Sequence, residues 1–225
     1  MYILNKELFF PPVEFADEDG MFAIGGDLST ERLLLAYRSG IFPWYNEDQP
    51  ILWWWTSPRL MIQPNEVRIS HSLRNILNQN TFHVTFNSDF VGVIHGCKEV
   101  KRKNQDGTWI MPEIIDAFTD LHRLGYAHSV EVYKNEKFVG GLYGMALGKI
   151  FFGESMFAVE PNASKVAFVH LCRHLQLKGF DWIDCQQDTP HMRSFGGRLI
   201  ESDDFLNVLR ENQLFMLGSD KPSEF

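Results

Sequence analysis

Four of the six tryptophans in this 225-residue chain lie within residues 41–59. Three of them are consecutive at positions 53–55, and Phe-Pro-Trp-Tyr precedes them at positions 42–45. A half-buried strand alternates apolar and polar residues, whereas three adjacent indoles put apolar surface on both of its faces. Each buried indole also needs a partner for its N–H group. The run therefore predicts either a wall that holds a flat or apolar ligand, or a strand buried on both faces.

The composition is that of a globular protein with a substantial core, because 44% of residues are hydrophobic and 22% are charged. A net charge of −8 argues against broad, non-specific nucleic-acid binding and favours a cationic partner. The cysteines, at positions 97, 172 and 185, lack metal-ligand spacing and predict a reduced protein without a disulfide framework. The chain has no secretory-type N-terminus and no apolar stretch near the roughly 20 residues that span a membrane. We therefore expect a cytoplasmic monomer with no membrane partner.

The composition and the hydrophobic patterning of the sequence change near residue 58. Residues 1–58 are rich in Pro, Gly and aromatics and predict a small domain with one helix at 30–39, capped by Ser29 and ended by Gly40. Residues 59–225 alternate regular helical and strand patterns and predict the larger domain. We expect its helices at 70–78, 89–97, 112–124, 163–177 and 203–212, and its strands at 82–86, 129–133, 138–146, 149–157 and 180–185. This order is typical of an α+β fold with a mixed sheet.

Polar residues interrupt two of the apolar strands. Glu154 follows Gly153 in a strand rich in Phe, and Asp184 ends another strand two residues before Gln186. A buried carboxylate is costly unless it is paired or used. Residues two apart on a strand share a face, so Asp184 is predicted to hydrogen-bond the Gln186 amide and orient it. Each carboxylate could instead be structural, but two of them at strand ends favour a functional site.

A dense basic cluster lies in a predicted loop and consists of Lys98, Lys101, Arg102 and Lys103. It is either a solvated loop or a contact to a phosphate backbone. His170 and His174 have the i,i+4 spacing that zinc sites use, but no nearby Glu or Cys completes a ligand set. The sequence contains no nucleophile elbow, P-loop or HExxH motif. We therefore predict no metal and no cofactor.

The ordered motifs along nearly the whole chain resemble those of the leucyl/phenylalanyl-tRNA–protein transferase family. The segments that carry the resemblance are AIGGDLS at 23–29, GIFPW at 40–44, PILWW at 50–54, GTWI at 107–110, AHSVEV at 127–132, GGLYG at 140–144, GESMF at 153–157, NASK at 162–165 and IDCQ at 183–186. The resemblance implies a small N-terminal domain and a larger domain with an N-acetyltransferase-like (GNAT) fold, whose sheet is mixed and mainly antiparallel.

The implied reaction moves Leu or Phe, and less well Met, from aminoacyl-tRNA to proteins that begin with Arg or Lys, and so marks them for degradation. By motif, Asp184, Gln186 and Glu154 are the implied catalytic residues. Trp44 and Trp109 are implied to lie near the terminal adenosine of the tRNA. Four further residues match the apolar pocket for the transferred side chain: Leu142, Phe151, Leu171 and Ile183. Leu171 departs from the family pattern, in which an aromatic residue stands at this position.

Two other functions fit parts of the pattern. An acyl-CoA-dependent acetyltransferase would need a Gly-rich turn for the pyrophosphate before the helix at 163–177, but residues 160–165 contain no glycine. A non-catalytic module that binds the aminoacyl-tRNA end or an N-terminal Arg or Lys would not need the pairing of Asp184 with Gln186. The transferase is therefore the favoured prediction.

Overall fold

The computed structural model describes residues 2–100, 108–217 and 225. A four-stranded sheet holds the first strands of the chain: β1 (Tyr2–Leu4), β2 (Met21–Gly25), β3 (Phe42–Pro43) and β4 (Leu52–Trp54). Its order is β1-β2-β4-β3, and only the β1–β2 pair is parallel. The helix α1 (Thr30–Arg38) begins after Ser29, whose Oγ accepts the Arg32 N–H. Gly40 follows with a left-handed φ of 73°, as predicted for the end of this helix.

A seven-stranded sheet forms the larger part of the molecule. Its strands are β5 (Arg59–Ile62), β6 (His83–Phe86), β7 (Ala127–Lys134), β8 (Lys137–Leu147), β9 (Ile150–Ala158), β10 (Trp182–Asp184) and β11 (Arg198–Ile200). The order is β11-β5-β10-β9-β8-β7-β6. Only β9 and β10 pair in parallel, so the sheet is mixed and mainly antiparallel, as predicted.

Six further helices complete the described fold: α2 (His71–Asn78), α3 (Phe90–Glu99), α4 (Pro112–Arg123), α5 (Ala163–Leu177), α6 (Pro190–Ser194) and α7 (Ser202–Met216). Those predicted at 70–78, 89–97, 112–124 and 163–177 are present within two residues at either end, and Asp89 caps α3 by accepting the Gly92 N–H. The helix α7 is longer than the predicted 203–212. Every helix in these ranges is too short or too polar to span a lipid bilayer.

Two clusters of buried side chains lie on opposite faces of the large sheet. One fills the space between the sheet and α5, and includes Phe151, Phe168 and Leu171. The other lies beneath α3 and α4 and continues into the four-stranded sheet, where it includes Trp53. The division at residue 58 stays a prediction; it falls between β4 and β5, and the second cluster crosses it.

The tryptophan run is mostly structural. Trp53 is fully buried on the central strand β4, and its indole N–H donates to the Gly25 carbonyl at 2.9 Å. Trp55 is also buried, whereas the Trp54 ring packs edge-on against Trp44 at 5.4 Å between centroids. Burial in the core therefore describes Trp53 on β4 and Trp55 just after the strand, whereas Trp54 is only partly buried, so β4 is not buried on both faces along the whole run.

Candidate functional site

The site forms where the two parallel strands separate. Register pairs Asp184 with Phe152, and β10 ends there while β9 continues to Ala158. On the other side of β9, Tyr143 pairs with Ser155 and Gly144 pairs with Gly153, so Glu154 is the extra residue of a β-bulge. Bulges re-aim side chains and are frequent beside active sites. The local topology therefore turns Glu154 out of the sheet beside the open end of β10.

A cavity of about 450 Å³ lies at this opening. All four residues predicted for the apolar pocket line it: Leu142, Phe151, Leu171 and Ile183. Glu154 and Gln186 also line it. Ligand sites in proteins are commonly apolar cavities of 300–1,000 Å³ with a few polar groups. The cavity therefore has the size and character of a site for an apolar side chain next to a polar reaction centre.

Three apolar lining residues were not identified from the sequence: Met156, Phe168 and Met192. Phe168 lies on the buried face of α5, where helical periodicity gives core and pocket residues the same pattern. Met192 comes from the short helix α6, which the sequence pattern did not reveal. Pro190 after Thr189 was the available signal for it, since Thr189 caps α6 by accepting the Met192 N–H at 3.2 Å.

Asp184 has a different partner from the one predicted. Its Oδ1 accepts the backbone N–H of Gln186 at 2.8 Å, not the side-chain amide. The strand ends at Asp184 and Gln186 has a left-handed φ of 55°, so strand alternation does not apply between them. This geometry corrects the predicted side-chain pairing. Asp184 shapes the turn that presents Gln186, and it does so through the backbone.

The main partner of Asp184 is Arg59, which the sequence reasoning missed. Arg59 Nε donates to Oδ1 and Nη2 donates to Oδ2, both at 2.8 Å, and both side chains are at most 1% exposed. The guanidinium also lies 5.0 Å from the Phe42 ring centroid and 4.9 Å from that of Phe205. The available signal was a lone basic residue at the start of the apolar run 60–62. Asp184 is accordingly a fully paired carboxylate that does not line the cavity.

Glu154 accepts a hydrogen bond from Tyr37. Tyr37 lies within the helix predicted at 30–39, but nothing in the sequence indicated that it contacts the site. The Tyr37 hydroxyl donates to Glu154 Oε1 at 2.7 Å, and its own pKa is raised by burial and by Glu154. Burial, followed by the charge of Asp184, raises the Glu154 pKa to about 8, although the Tyr37 hydrogen bond and Arg59 oppose the shift. The raised pKa favours the neutral acid near pH 7, and a bound cation would favour the carboxylate.

The Gln186 side chain is 8% exposed, and its Nε2 has no hydrogen-bond partner among the described residues. A buried amide N–H without a partner costs about 1–3 kcal/mol. Gln186 also occupies a left-handed backbone conformation that is uncommon for a non-glycine residue. Both features are typical of functional positions, where strain and unmade hydrogen bonds are retained for a ligand.

The structure brings other predicted residues to different places. Trp44 lies in the connection between β3 and β4 and is 37% exposed, whereas Trp109 is 7% exposed in the core, and neither lines the cavity. Lys98 lies partly exposed in the last turn of α3. Lys101, Arg102 and Lys103 lie outside the described residues. Within residues 2–100, 108–217 and 225, no group of three His, Cys, Asp or Glu side chains could hold a metal ion.

Replacing Glu154 with glutamine is expected to change the pH dependence of stability. The folded-state pKa lies above the ordinary value of 4.5, so between pH 4.5 and 8 the folded protein keeps a proton that the unfolded chain releases. The unfolding free energy of the wild type should therefore fall as pH rises through this window. At pH 8.5 we expect Glu154→Gln to be more stable by roughly 2 kcal/mol, allowing for screening by water in the cavity.

Thermal unfolding at pH 5, 7 and 8.5 measures this difference directly. Glutamine preserves the acceptor for the Tyr37 hydroxyl, so packing is retained. Glu136→Gln, at an exposed turn residue, is the matched control and should follow the wild type. Parallel curves for the wild type and Glu154→Gln at all three pH values would contradict a raised pKa at this position.

Comparison with known proteins finds relatives over nearly the whole chain. The family model described as leucyl/phenylalanyl-tRNA protein transferase matches residues 61–210, and the model for its N-terminal domain matches residues 26–58. The protein named leucyl/phenylalanyl-tRNA–protein transferase from Syntrophobacter fumaroxidans is 55% identical over 212 residues, which are 94% of this chain and 91% of that protein. A protein of the same name from Flavobacterium johnsoniae is 51% identical, covering 93% and 99% of the two chains.

Solved structures are similar at a much lower level. A GCN5-related N-acetyltransferase from Kribbella flavida is 9% identical, with a TM-score of 0.41 over 74% of this chain and 59% of that chain. L-PGS from Bacillus licheniformis is 12% identical, with a TM-score of 0.43 over 72% and 52% of the two chains.

Proposed function

Because this chain belongs to the leucyl/phenylalanyl-tRNA–protein transferase family, we propose that it transfers Leu or Phe, and less well Met, from aminoacyl-tRNA to the α-amine of acceptor proteins. The acceptors begin with Arg or Lys, and the added residue marks them for degradation. We propose that the protein acts as a cytoplasmic monomer. The observation that carries the proposal is the 450 Å³ apolar cavity, which has Gln186 and Glu154 among its lining residues.

The chemistry needs alignment more than it needs a strong base. The aminoacyl ester is already activated, and an α-amine has an ordinary pKa near 8, so a useful fraction is neutral at pH 7. The enzyme must hold the amine against the ester carbonyl and stabilise the charges that develop. In this proposal the Gln186 side-chain oxygen accepts an N–H of the attacking amine, holds the amine against the ester carbonyl and helps pass its proton towards the tRNA 3′-oxygen that leaves.

Asp184 acts in this proposal as a positioning residue. Its carboxylate is fully buried and held by Arg59, so the role of neutralising the attacking nitrogen by direct contact is not available to it. It instead fixes the backbone of Gln186 in the left-handed conformation that presents the side chain. Its charge also contributes to the field at Glu154, whose pKa it raises.

Glu154 is suited to one cationic group of the acceptor. A bound ammonium or guanidinium stabilises the carboxylate, so binding of the acceptor would drive proton loss from Glu154 even at neutral pH. The acidic net charge of the protein also favours a substrate that begins with Arg or Lys.

The apolar cavity accounts for the proposed choice of amino acid. One methylene in such a pocket changes discrimination by about 1–3 kcal/mol, so Leu, Met and Phe are separated only weakly while charged side chains are rejected.

We also propose that Trp44 stacks on the terminal adenine of the tRNA, a contact worth roughly 1–3 kcal/mol. Its ring is exposed enough for this contact, whereas Trp109 would need to move to offer a ring face. Lys98, with Lys101, Arg102 and Lys103, is proposed to contact acceptor-stem phosphates.

Transfer of labelled leucine from Leu-tRNA to a peptide that begins with Arg-Ala-Ala tests the proposed function. We expect label in this peptide and at least about 100-fold less in a peptide that begins with Ala-Ala-Ala, because the latter offers no side-chain cation. A parallel filter-binding measurement reports retention of Leu-tRNA. Retention without transfer to any peptide would favour a non-catalytic binding module and overturn the proposal.

A further inference from the structure

An acidic groove of about 390 Å³ lies beside the candidate site. It runs between the loop at 13–20, the segment at 55–58 and the turn at 186–188. Five carboxylates line it: Glu14, Asp17, Glu18, Asp19 and Asp188. Among the described residues, no Lys, Arg or His lines the groove. Its charge is therefore strongly negative before any partner binds.

Two of the five carboxylates already have partners. Asp188 forms a two-point ion pair with Arg193 at 2.5 and 2.7 Å. Asp17 Oδ1 accepts the backbone N–H groups of Asp19 and Met21 at 3.1 and 2.7 Å and so shapes the loop. The remaining three are exposed and form no ion pair within the described part of the chain: Glu14, Glu18 and Asp19. Their mutual repulsion is relieved by a cation and increased by a nucleic-acid phosphate.

A second, independent feature of the groove points to a peptide. Gln186 and Trp55 both line it, and both are at least nine-tenths buried, with exposures of 8% and 6%. Neither the Gln186 Nε2 nor the Trp55 Nε1 has a hydrogen-bond partner among the described residues. Buried donors without partners are costly, and native structures seldom keep them without a use. The carbonyl oxygens of an extended peptide are acceptors that match two such donors.

The position of Gln186 connects the groove to the reaction. Gln186 lines both the groove and the apolar cavity. An acceptor whose α-amine lies at Gln186 would therefore continue into the groove, while the transferred side chain occupies the cavity. The carboxylates of the groove repel the phosphates of the tRNA. Of the two substrates, the acceptor chain is therefore the one that suits the groove.

We propose that this groove binds the second to fourth residues of the acceptor protein and selects acceptors with Lys or Arg at those positions. The inference rests on the proposed function, because it extends the acceptor site of the same reaction. It adds a preference beyond the first residue, so the enzyme should modify proteins with cationic N-terminal segments faster than proteins that share only the initial Arg or Lys.

Transfer to three peptides measures the preference: Arg-Ala-Lys-Lys, Arg-Ala-Ala-Ala and Arg-Ala-Asp-Asp, each with the same neutral tail. We expect kcat/KM to be about fivefold higher for the Lys peptide than for the Ala peptide and about fivefold lower for the Asp peptide, the range that a few exposed charge pairs can supply. The differences should shrink in 0.5 M salt because exposed charges are screened.

The triple variant Glu14→Gln/Glu18→Gln/Asp19→Asn should lose the preference among the three peptides. A thermal unfolding transition like that of the wild type shows that the variant is folded. The matched control is Glu99→Gln/Glu136→Gln/Glu211→Gln, which removes three exposed carboxylates away from the groove and should retain the preference.

The outcomes separate the two claims. If the triple variant in the groove keeps the preference for the Lys peptide, the groove does not select the acceptor. The same conclusion follows if the control variant loses the preference equally. Equal rates on all three peptides with wild-type enzyme overturn the groove and leave the proposed function standing. No transfer to any of the three peptides overturns the proposed function, and the groove with it.

Discussion

Replacing Gln186 with alanine is expected to lower kcat for aminoacyl transfer about 100-fold while leaving the affinity for Leu-tRNA within about twofold. Removing one positioned hydrogen-bond group from a reaction centre typically costs about 10²–10³ in kcat. The Gln186 amide lines the cavity, is buried and has no other partner in the described structure, so its loss removes little from the folded state. Single-turnover transfer to an Arg-Ala-Ala peptide, together with filter binding of Leu-tRNA, measures both quantities.

Two further variants make this test specific. Gln176→Ala changes the same residue type at an exposed position of α5 outside the cavity and the groove, and should keep nearly full turnover. Gln186→Asn retains an amide on a shorter side chain and tolerates the left-handed backbone, so it distinguishes the effect of side-chain length from that of backbone strain. Turnover of Gln186→Ala equal to that of Gln176→Ala, or a matching loss of tRNA affinity, would remove Gln186 from the proposed reaction.

Replacing Arg59 with methionine is expected to lower the unfolding free energy by about 3–5 kcal/mol, because it leaves the buried Asp184 carboxylate without its charged partner. For a chain of this length the loss corresponds to roughly 10 °C in Tm. Asp184→Ala should be similarly destabilised, since it leaves the Arg59 guanidinium unpaired at 1% exposure. Thermal and denaturant unfolding of both variants measures the effect.

The double variant Arg59→Met/Asp184→Leu should recover most of the lost stability, because an apolar pair of similar volume avoids the cost of burying charge. Arg198→Met is the control on the neighbouring strand β11. Its arginine is half-exposed and lies 3.7 Å from Glu66, so we expect a loss below about 1 kcal/mol. Equal losses for Arg59→Met and Arg198→Met, or a double variant no better than the single variants, would refute a tightly coupled buried pair.

The Arg59 pair also affects how activity data on Asp184 should be interpreted. A slow Asp184→Ala enzyme is expected whether the carboxylate acts directly on substrate or only holds the Gln186 turn. The double variant removes a contribution from unfolding, because it restores stability without restoring the carboxylate or its hydrogen bond from the Gln186 backbone. Turnover measured on a folded double variant therefore reports the functional loss of the Asp184 carboxylate, free of any effect on stability.

Patterns of local residues were sufficient for much of the fold. Caps, glycines and periodicity located α1, α2, α3, α4 and α5, because these signals act within a few residues of one another. Alternation located the long antiparallel strands. The short strands β1, β2, β3, β5 and β11 and the helix α6 escaped detection, since two to five residues carry too little periodicity and the pairing of the strands depends on distant partners.

The sequence by itself determined which residue types surround the cavity. An apolar segment interrupted by Glu154, and a strand ending at Asp184 before Gln186, marked two chemical positions, and the resemblance supplied the apolar lining residues that the cavity contains. Only the tertiary structure decided how these residues are connected. Arg59 is 125 residues from Asp184, and Tyr37 is 117 residues from Glu154. Such contacts form when β10 separates from β9 and the bulge turns Glu154 outward, and local sequence encodes neither event because both depend on strand register set across the whole sheet.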